Sequence, residues 1–128
     1  MIRILHIDDS DSDLRLTRRA FRHIGDVCFT EAKDGEEGLD QALRVSPDII
    51  LLDMNLPRLR GDEVLRVLRS LEKTRRIPIV ILTSSDDHEE VARVYGLTAN
   101  AYITKPVTLA KFKEVADAVD LIWSKRKE

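Results

Sequence analysis

Two short runs, Ile49-Ile50-Leu51-Leu52 and Ile79-Val80-Ile81-Leu82, are apolar at every position rather than at every second one. A strand needs that pattern only when both of its faces are covered, so both read as central strands of a sheet with helices on either side. Neither approaches the ~18 residues that a membrane span requires. Three more β-rich runs, Ile2 to Ile7, Val27 to Ala32 and Ala101 to Ile103, complete a set of five, the fourth extending from Ile77 to Leu82. Each pair of runs is separated by a stretch of helical spacing. Strands alternating with helices imply parallel pairing and right-handed crossovers.

The helical stripes are Leu14, Thr17, Phe21 and Ile24; Leu39, Ala42 and Leu43; Val64, Leu65, Leu68 and Leu71; Val91, Val94 and Tyr95; and Phe112, Val115, Val119, Ile122 and Trp123. Asp34 with Glu37, and Asp86 with Glu89, place an oxygen acceptor at a cap and an acid three residues on, while Thr108 is placed to cap the last helix. The fourth stripe is the shortest and least apolar. The expected fold is α/β, one doubly wound (βα)5 domain over residues 1–128: a parallel five-stranded sheet of order 2-1-3-4-5 with helices on both faces.

Composition narrows the function. Lys and Arg number 21 against 23 Asp and Glu, and a net charge of −2 gives no basis for coating nucleic acid. Cys28 is the only cysteine, which leaves no intrachain disulfide and no cysteine zinc site. Met1-Ile2-Arg3-Ile4-Leu5 lacks the basic stretch and long apolar core of a secretory signal, so a cytoplasmic chain with no membrane insertion is expected.

Ligands of such a sheet bind beyond the carboxyl ends of the strands, where strand order reverses. There the chain carries Asp8-Asp9 after the first strand, Asp53 after the third, Thr83-Ser84-Ser85 after the fourth and Thr104-Lys105-Pro106 after the fifth. Three carboxylates brought within ~5 Å repel one another by several kcal/mol, so protons or a cation must offset them. A hard divalent ion, Mg2+, suits oxygen ligands and leaves an edge open to a phosphoryl group. Lys105 adds a fixed positive charge. A carboxylate beside a metal, an ammonium and a hydroxyl is a plausible acceptor in phosphoryl transfer, and Asp53, after a central strand, is the natural nucleophile.

Other features read blandly. Arg15, Arg18, Arg19 and Arg22 form a solvated face of the first helix. His6, His23 and His88 lack a partner at metal-ligand spacing and take no role. Arg60-Gly61-Asp62 matches an integrin-binding tripeptide that a cytoplasmic chain cannot use, and Gly61 is expected to permit a turn before the third helix.

Taken in order, Asp8-Asp9, Asp53-Met54-Asn55-Leu56-Pro57, Thr83-Ser84 and Lys105-Pro106 resemble the signature of the receiver domain of two-component response regulators, the CheY-like, flavodoxin-like fold. The likeness spans essentially the whole chain. It implies that Asp53 accepts a phosphoryl group from a sensor histidine kinase or histidine phosphotransfer protein. It also implies that Asp9, Asp53 and the backbone carbonyl of Asn55 bind Mg2+ directly, and Asp8 mostly through water. Lys105 would pair with Asp53 and then with the phosphoryl group, and Thr83 with a phosphoryl oxygen. Tyr102 matches the switch aromatic, and Lys105-Pro106 the family's cis peptide. Thr83 moving inward would vacate space for Tyr102, which couples the site to the face formed by helix 4, strand 5 and helix 5.

Two positions depart from the pattern. Ser85 stands where the chemotaxis prototype has an acid, and His6 where an aliphatic residue is usual. Asp13-Leu14-Arg15-Leu16-Thr17, the Glu72 to Pro78 connector and the Phe112 to Trp123 helix resemble the stand-alone regulators that partner bacterial phytochromes, a subgroup that often dimerises through the helix 4, strand 5 and helix 5 face. Ser124 to Glu128 is only a charged tail, so no output domain is expected and the downstream protein target is unspecified. The chain is expected to catalyse only its own phosphorylation and slow dephosphorylation.

Three other readings share the sheet. A flavodoxin-type electron carrier needs a hydroxyl- and Gly-rich loop where Asp8, Asp9, Asp11 and Asp13 would repel a flavin phosphate. A haloacid-dehalogenase-type phosphatase would use Asp9-Ser10-Asp11, yet Asp13 replaces the aliphatic residue expected two further on. A pseudo-receiver would keep the fold without the chemistry, but every core residue is present.

Overall fold

A computed structural model describes residues 1–83, 101–105 and 107–126. They form β1 (Ile2–Ile7), α1 (Asp11–Phe21) with a 3-10 turn (Arg22–Ile24), β2 (Val27–Ala32), α2 (Gly35–Val45), β3 (Ile49–Asp53), α3 (Gly61–Ser70), β4 (Ile79–Thr83), β5 (Ala101–Thr104) and the C-terminal helix α4 (Leu109–Arg126). The five strands pair in parallel in the order β2-β1-β3-β4-β5, as the apolar runs predict. The expected fourth helix around Val91, Val94 and Tyr95, with its Asp86 cap, lies outside the described residues, as do Ser84, Ser85, His88, Pro106 and the side chains of His23, Ile122 and Trp123.

Alternation along β3 and β4 explains their fully apolar composition. Ile50, Leu52, Ile79 and Ile81 meet Ala42 of α2 and Val64, Leu65 and Leu68 of α3 on one face. Leu51, Val80 and Leu82 meet Ala20 and Phe21 of α1 and Phe112, Val115, Ala116 and Val119 of α4 on the other. Both strands are buried at every position. Each such aliphatic side chain contributes roughly 1.5–3 kcal/mol of burial, which fixes the strand ends and whatever they carry.

The caps form at sequence-encoded positions. Asp34 accepts from the Glu37 backbone N–H at 2.8 Å and Thr108 Oγ1 from the Lys111 backbone N–H at 3.1 Å. Four expectations are corrected. β4 starts at Ile79 rather than Ile77, because Pro78 has no N–H to donate and Ile77 closes a turn onto the Thr74 carbonyl. Ile24 falls in the 3-10 turn, and Leu71 is the extended cap of α3 rather than part of its helix. Gly61 does not stand at positive φ; a Cβ there would come 2.5 Å from the Asp53 carbonyl oxygen, so close approach to β3 is what requires glycine. α1 also has a cap that the reading overlooked, Ser10, whose Oγ accepts from the Asp13 N–H at 3.3 Å.

Candidate functional site

The carboxyl end of β3 places Asp53 beside the ends of β1 and β4. Its side chain is buried, and its Oδ1 accepts the Asn55 backbone N–H at 3.1 Å. Asp8, one residue beyond β1, is fully buried; Asp9 is exposed. One oxygen from each of Asp8, Asp9 and Asp53 lies within 4.8 Å of the others. Three hard oxygen donors converging this closely suit a small divalent cation rather than a soft metal, so the donor set fits Mg2+.

Lys105, directly after β5, reaches back across the sheet ends, and its backbone N–H donates to the Thr83 carbonyl at 2.6 Å. Its Nζ stands 3.4 Å from Asp53 Oδ2, in the pairing the signature implies, but is nearer to Asp8 Oδ2 at 3.0 Å and nearest to Asp13 Oδ2 at 2.8 Å. Asp13 escaped the sequence reading as a lysine partner. Thr83 is buried at the end of β4, and Tyr102 lies half-buried opposite Ile81, packed on the α2/α3 side. By alternation, Thr83 and Ile81 share that face, which puts Thr83 and Tyr102 on the same side of the sheet.

His6 is the second residue that sequence reasoning missed. It is buried on the α1/α4 side, its ring edge-on to Phe112 at 6.4 Å, with Nε2 3.3 Å from Asp8 Oδ2. Since an ionised Asp8 can only accept, Nε2 carries the proton. Two-residue alternation along β1 was the available signal, because it puts His6 and Asp8 on one face.

These contacts push the two buried carboxyls apart. For Asp8, burial favours the neutral acid, but the His6 ring, the Ser10 N–H at 3.0 Å and Lys105 outweigh it and hold the group below the usual range. For Asp53, burial, reinforced by the Asp8 charge, exceeds the help from the Asn55 N–H and Lys105 and raises it. Burial lowers Lys105, but Asp13, Asp8 and Asp53 more than reverse that, so the ammonium is permanent. The site thus pairs a firm anion with a more basic carboxylate beside a fixed cation.

Residues 4–117 match the response regulator receiver domain, and the chain belongs to that family, a component of two-component signalling. It is 36% identical to response regulator Rcp1 of Synechocystis, over 94% of this chain and 87% of that protein. The phosphorylated cyanobacterial phytochrome response regulator RcpA superposes with a TM-score of 0.81 at 31% identity, covering 95% of this chain and 93% of that one. The receiver domain of the Pseudomonas aeruginosa sensor histidine kinase PA1611, with magnesium coordinated in its active-site cleft, superposes at 0.79 with 27% identity, covering 93% and 97%. No helix among the described residues is long and apolar enough to cross a membrane.

Proposed function

We propose that Asp53 accepts a phosphoryl group from a sensor histidine kinase or a histidine phosphotransfer protein. The observation that carries this is the buried, raised Asp53 carboxyl standing within reach of Asp8, Asp9 and Lys105. An Asp53 oxygen forms the new bond to phosphorus as the donor's nitrogen–phosphorus bond breaks, and the bonding pair leaves with the donor imidazole. Asp8, Asp9, Asp53 and the Asn55 carbonyl would hold Mg2+, which when bound would supply charge neutralisation for the phosphoryl oxygens. Lys105 neutralises the opposite edge and the Thr83 hydroxyl donates to a phosphoryl oxygen.

The acyl phosphate adds roughly −1.5 to −2 charges and three acceptor oxygens, which draw Thr83 and Lys105 inward and let Tyr102 follow. The altered face around β5 and the C-terminal helix then signals by protein contact or by passing the group along a relay. The likeness to RcpA, a phytochrome response regulator, and to Rcp1 favours a phytochrome-type kinase as donor. A homodimer through the face that includes β5 and the C-terminal helix is part of the same reading. A sedimentation shift on adding beryllofluoride supports that dimer, and a monomer in both states at high micromolar concentration refutes it.

Incubation with acetyl phosphate tests the chemistry. One phosphoryl group per chain is expected, and none when Mg2+ is chelated before acetyl phosphate is added. Continuous turnover of p-nitrophenyl phosphate would instead make the chain a phosphatase.

A further inference from the structure

Asp13 occupies the third position of α1, where an acid ordinarily reaches back to the cap's backbone N–H and closes a capping box. Here that N–H, of Ser10, is already taken by Asp8 Oδ1 at 3.0 Å. The Asp13 main chain is itself held at both ends, its N–H by Ser10 Oγ and its carbonyl by Thr17 Oγ1 at 2.9 Å. Its carboxylate, 18% exposed, turns to Lys105 Nζ instead, at 2.8 Å, the shortest of that amine's ion pairs among the described residues. The neighbouring acid of the same helical turn, Asp11, is 63% exposed and pairs with Lys33 at 2.7 Å instead.

Lys105 and a divalent cation compete for the same carboxylates. An ammonium 3.0 Å from Asp8 and 3.4 Å from Asp53 opposes a cation bound by them, unless another anion draws it aside. Resting on the reading of this rim as a Mg2+-dependent phosphoacceptor, we propose that Asp13 is a positioning residue that gives the Lys105 ammonium an anchor on α1, so that it can give up its contacts with Asp8 and Asp53 when a metal takes those carboxylates. Lys105 has three N–H donors, so one can stay on Asp13 while another turns to a phosphoryl oxygen on Asp53. The tether therefore serves both states of the site.

A thermodynamic cycle tests this through Mg2+ affinity, measured by titration calorimetry on the full chain. Asp13→Asn is expected to weaken Mg2+ binding about three- to tenfold when Lys105 is present and less than twofold in a Lys105→Met background. Asp13→Ser, which keeps an oxygen at that helical position, should behave like Asp13→Asn, and Asp13→Glu should recover most of the loss. Asp11→Asn removes the same formal charge from the same turn and should change affinity less than twofold. Equal losses with and without Lys105, equal losses for Asp11→Asn and Asp13→Asn, or no loss at all would overturn the proposal. Failure of the wild-type chain to label with acetyl phosphate while it still binds Mg2+ would sink the phosphoacceptor reading alone, because the cycle is read in the metal.

Discussion

The His6 imidazole donates from Nε2 to Asp8 Oδ2 across 3.3 Å, with both side chains sealed from solvent and the opposite ring nitrogen, Nδ1, without a hydrogen-bond partner among the described residues. A strand position that could have held an aliphatic side chain therefore holds a donor aimed at a buried carboxylate of the acidic cluster, at the cost of one unsatisfied nitrogen. Replacing it, as in His6→Leu, removes a favourable bond and an unfavourable orphan together. Stability at neutral pH is expected to change by no more than about 1 kcal/mol. The Asp8 carboxyl, having lost a donor, should titrate at higher pH than in the wild type, as read by carboxyl carbon NMR. An unmoved Asp8 titration would show that His6 does not support the anion.

Gly61 sets the distance between α3 and β3, the strand that carries Asp53. A methyl group there would stand 2.5 Å from both the Asp53 carbonyl oxygen and the Met54 Cα, and backbone cannot yield as a flexible side chain can. Gly61→Ala is expected to cost about 1–3 kcal/mol in urea denaturation, because the start of α3 must move off β3. Labelling of Asp53 should slow as well, since the displaced backbone carries the proposed phosphoacceptor. Wild-type stability in this variant would mean that α3 accommodates the methyl without disturbing the site.

Asp53 opposes folding at neutral pH. Burial and the Asp8 charge raise its carboxyl above the ordinary 3.8, so the folded state binds its proton more tightly than the unfolded chain does. The stability contributed by that proton is fully present below about pH 3.8 and is lost as pH rises through the raised folded value. Asp53→Asn, which cannot ionise, should therefore melt a few degrees higher than the wild type at pH 7 in the presence of a chelator. The gap should close as pH falls through the carboxylate range. A variant less stable than the wild type at pH 7 would mean that the Lys105 pairing outweighs burial.

The sheet and most of the rim were legible in the sequence, and the reason is periodicity. Burial on both faces leaves an unmistakable mark on β3 and β4, and once strand order is known, the residues following each strand must meet. Asp8, Asp9, Asp53, Thr83 and Lys105 follow from that alone. Asp13 was not legible as a lysine partner, because a helical side chain's target depends on how α1 packs against β1 and α4, and on the cap N–H already being taken by Asp8. His6 was passed over for a similar reason: a lone histidine in an apolar strand resembles core filling until its ring is seen to face a carboxylate two residues on. Gly61 was read only as permitting a turn before α3, whereas its close approach to the β3 backbone is what demands glycine, a contact that no sequence pattern displays. Pro78 could have corrected the start of β4, because a missing N–H is visible without coordinates.

The most direct test of the account is the chemical identity of the labelled residue. Wild-type protein treated with acetyl phosphate and Mg2+, trapped by borohydride reduction and mapped by mass spectrometry, should carry a single modification, on Asp53, and Asp53→Asn should carry none while retaining the wild-type circular dichroism spectrum. Undiminished labelling of Asp53→Asn, or a wild-type modification on any other residue, would contradict the assignment of Asp53 as the phosphoacceptor.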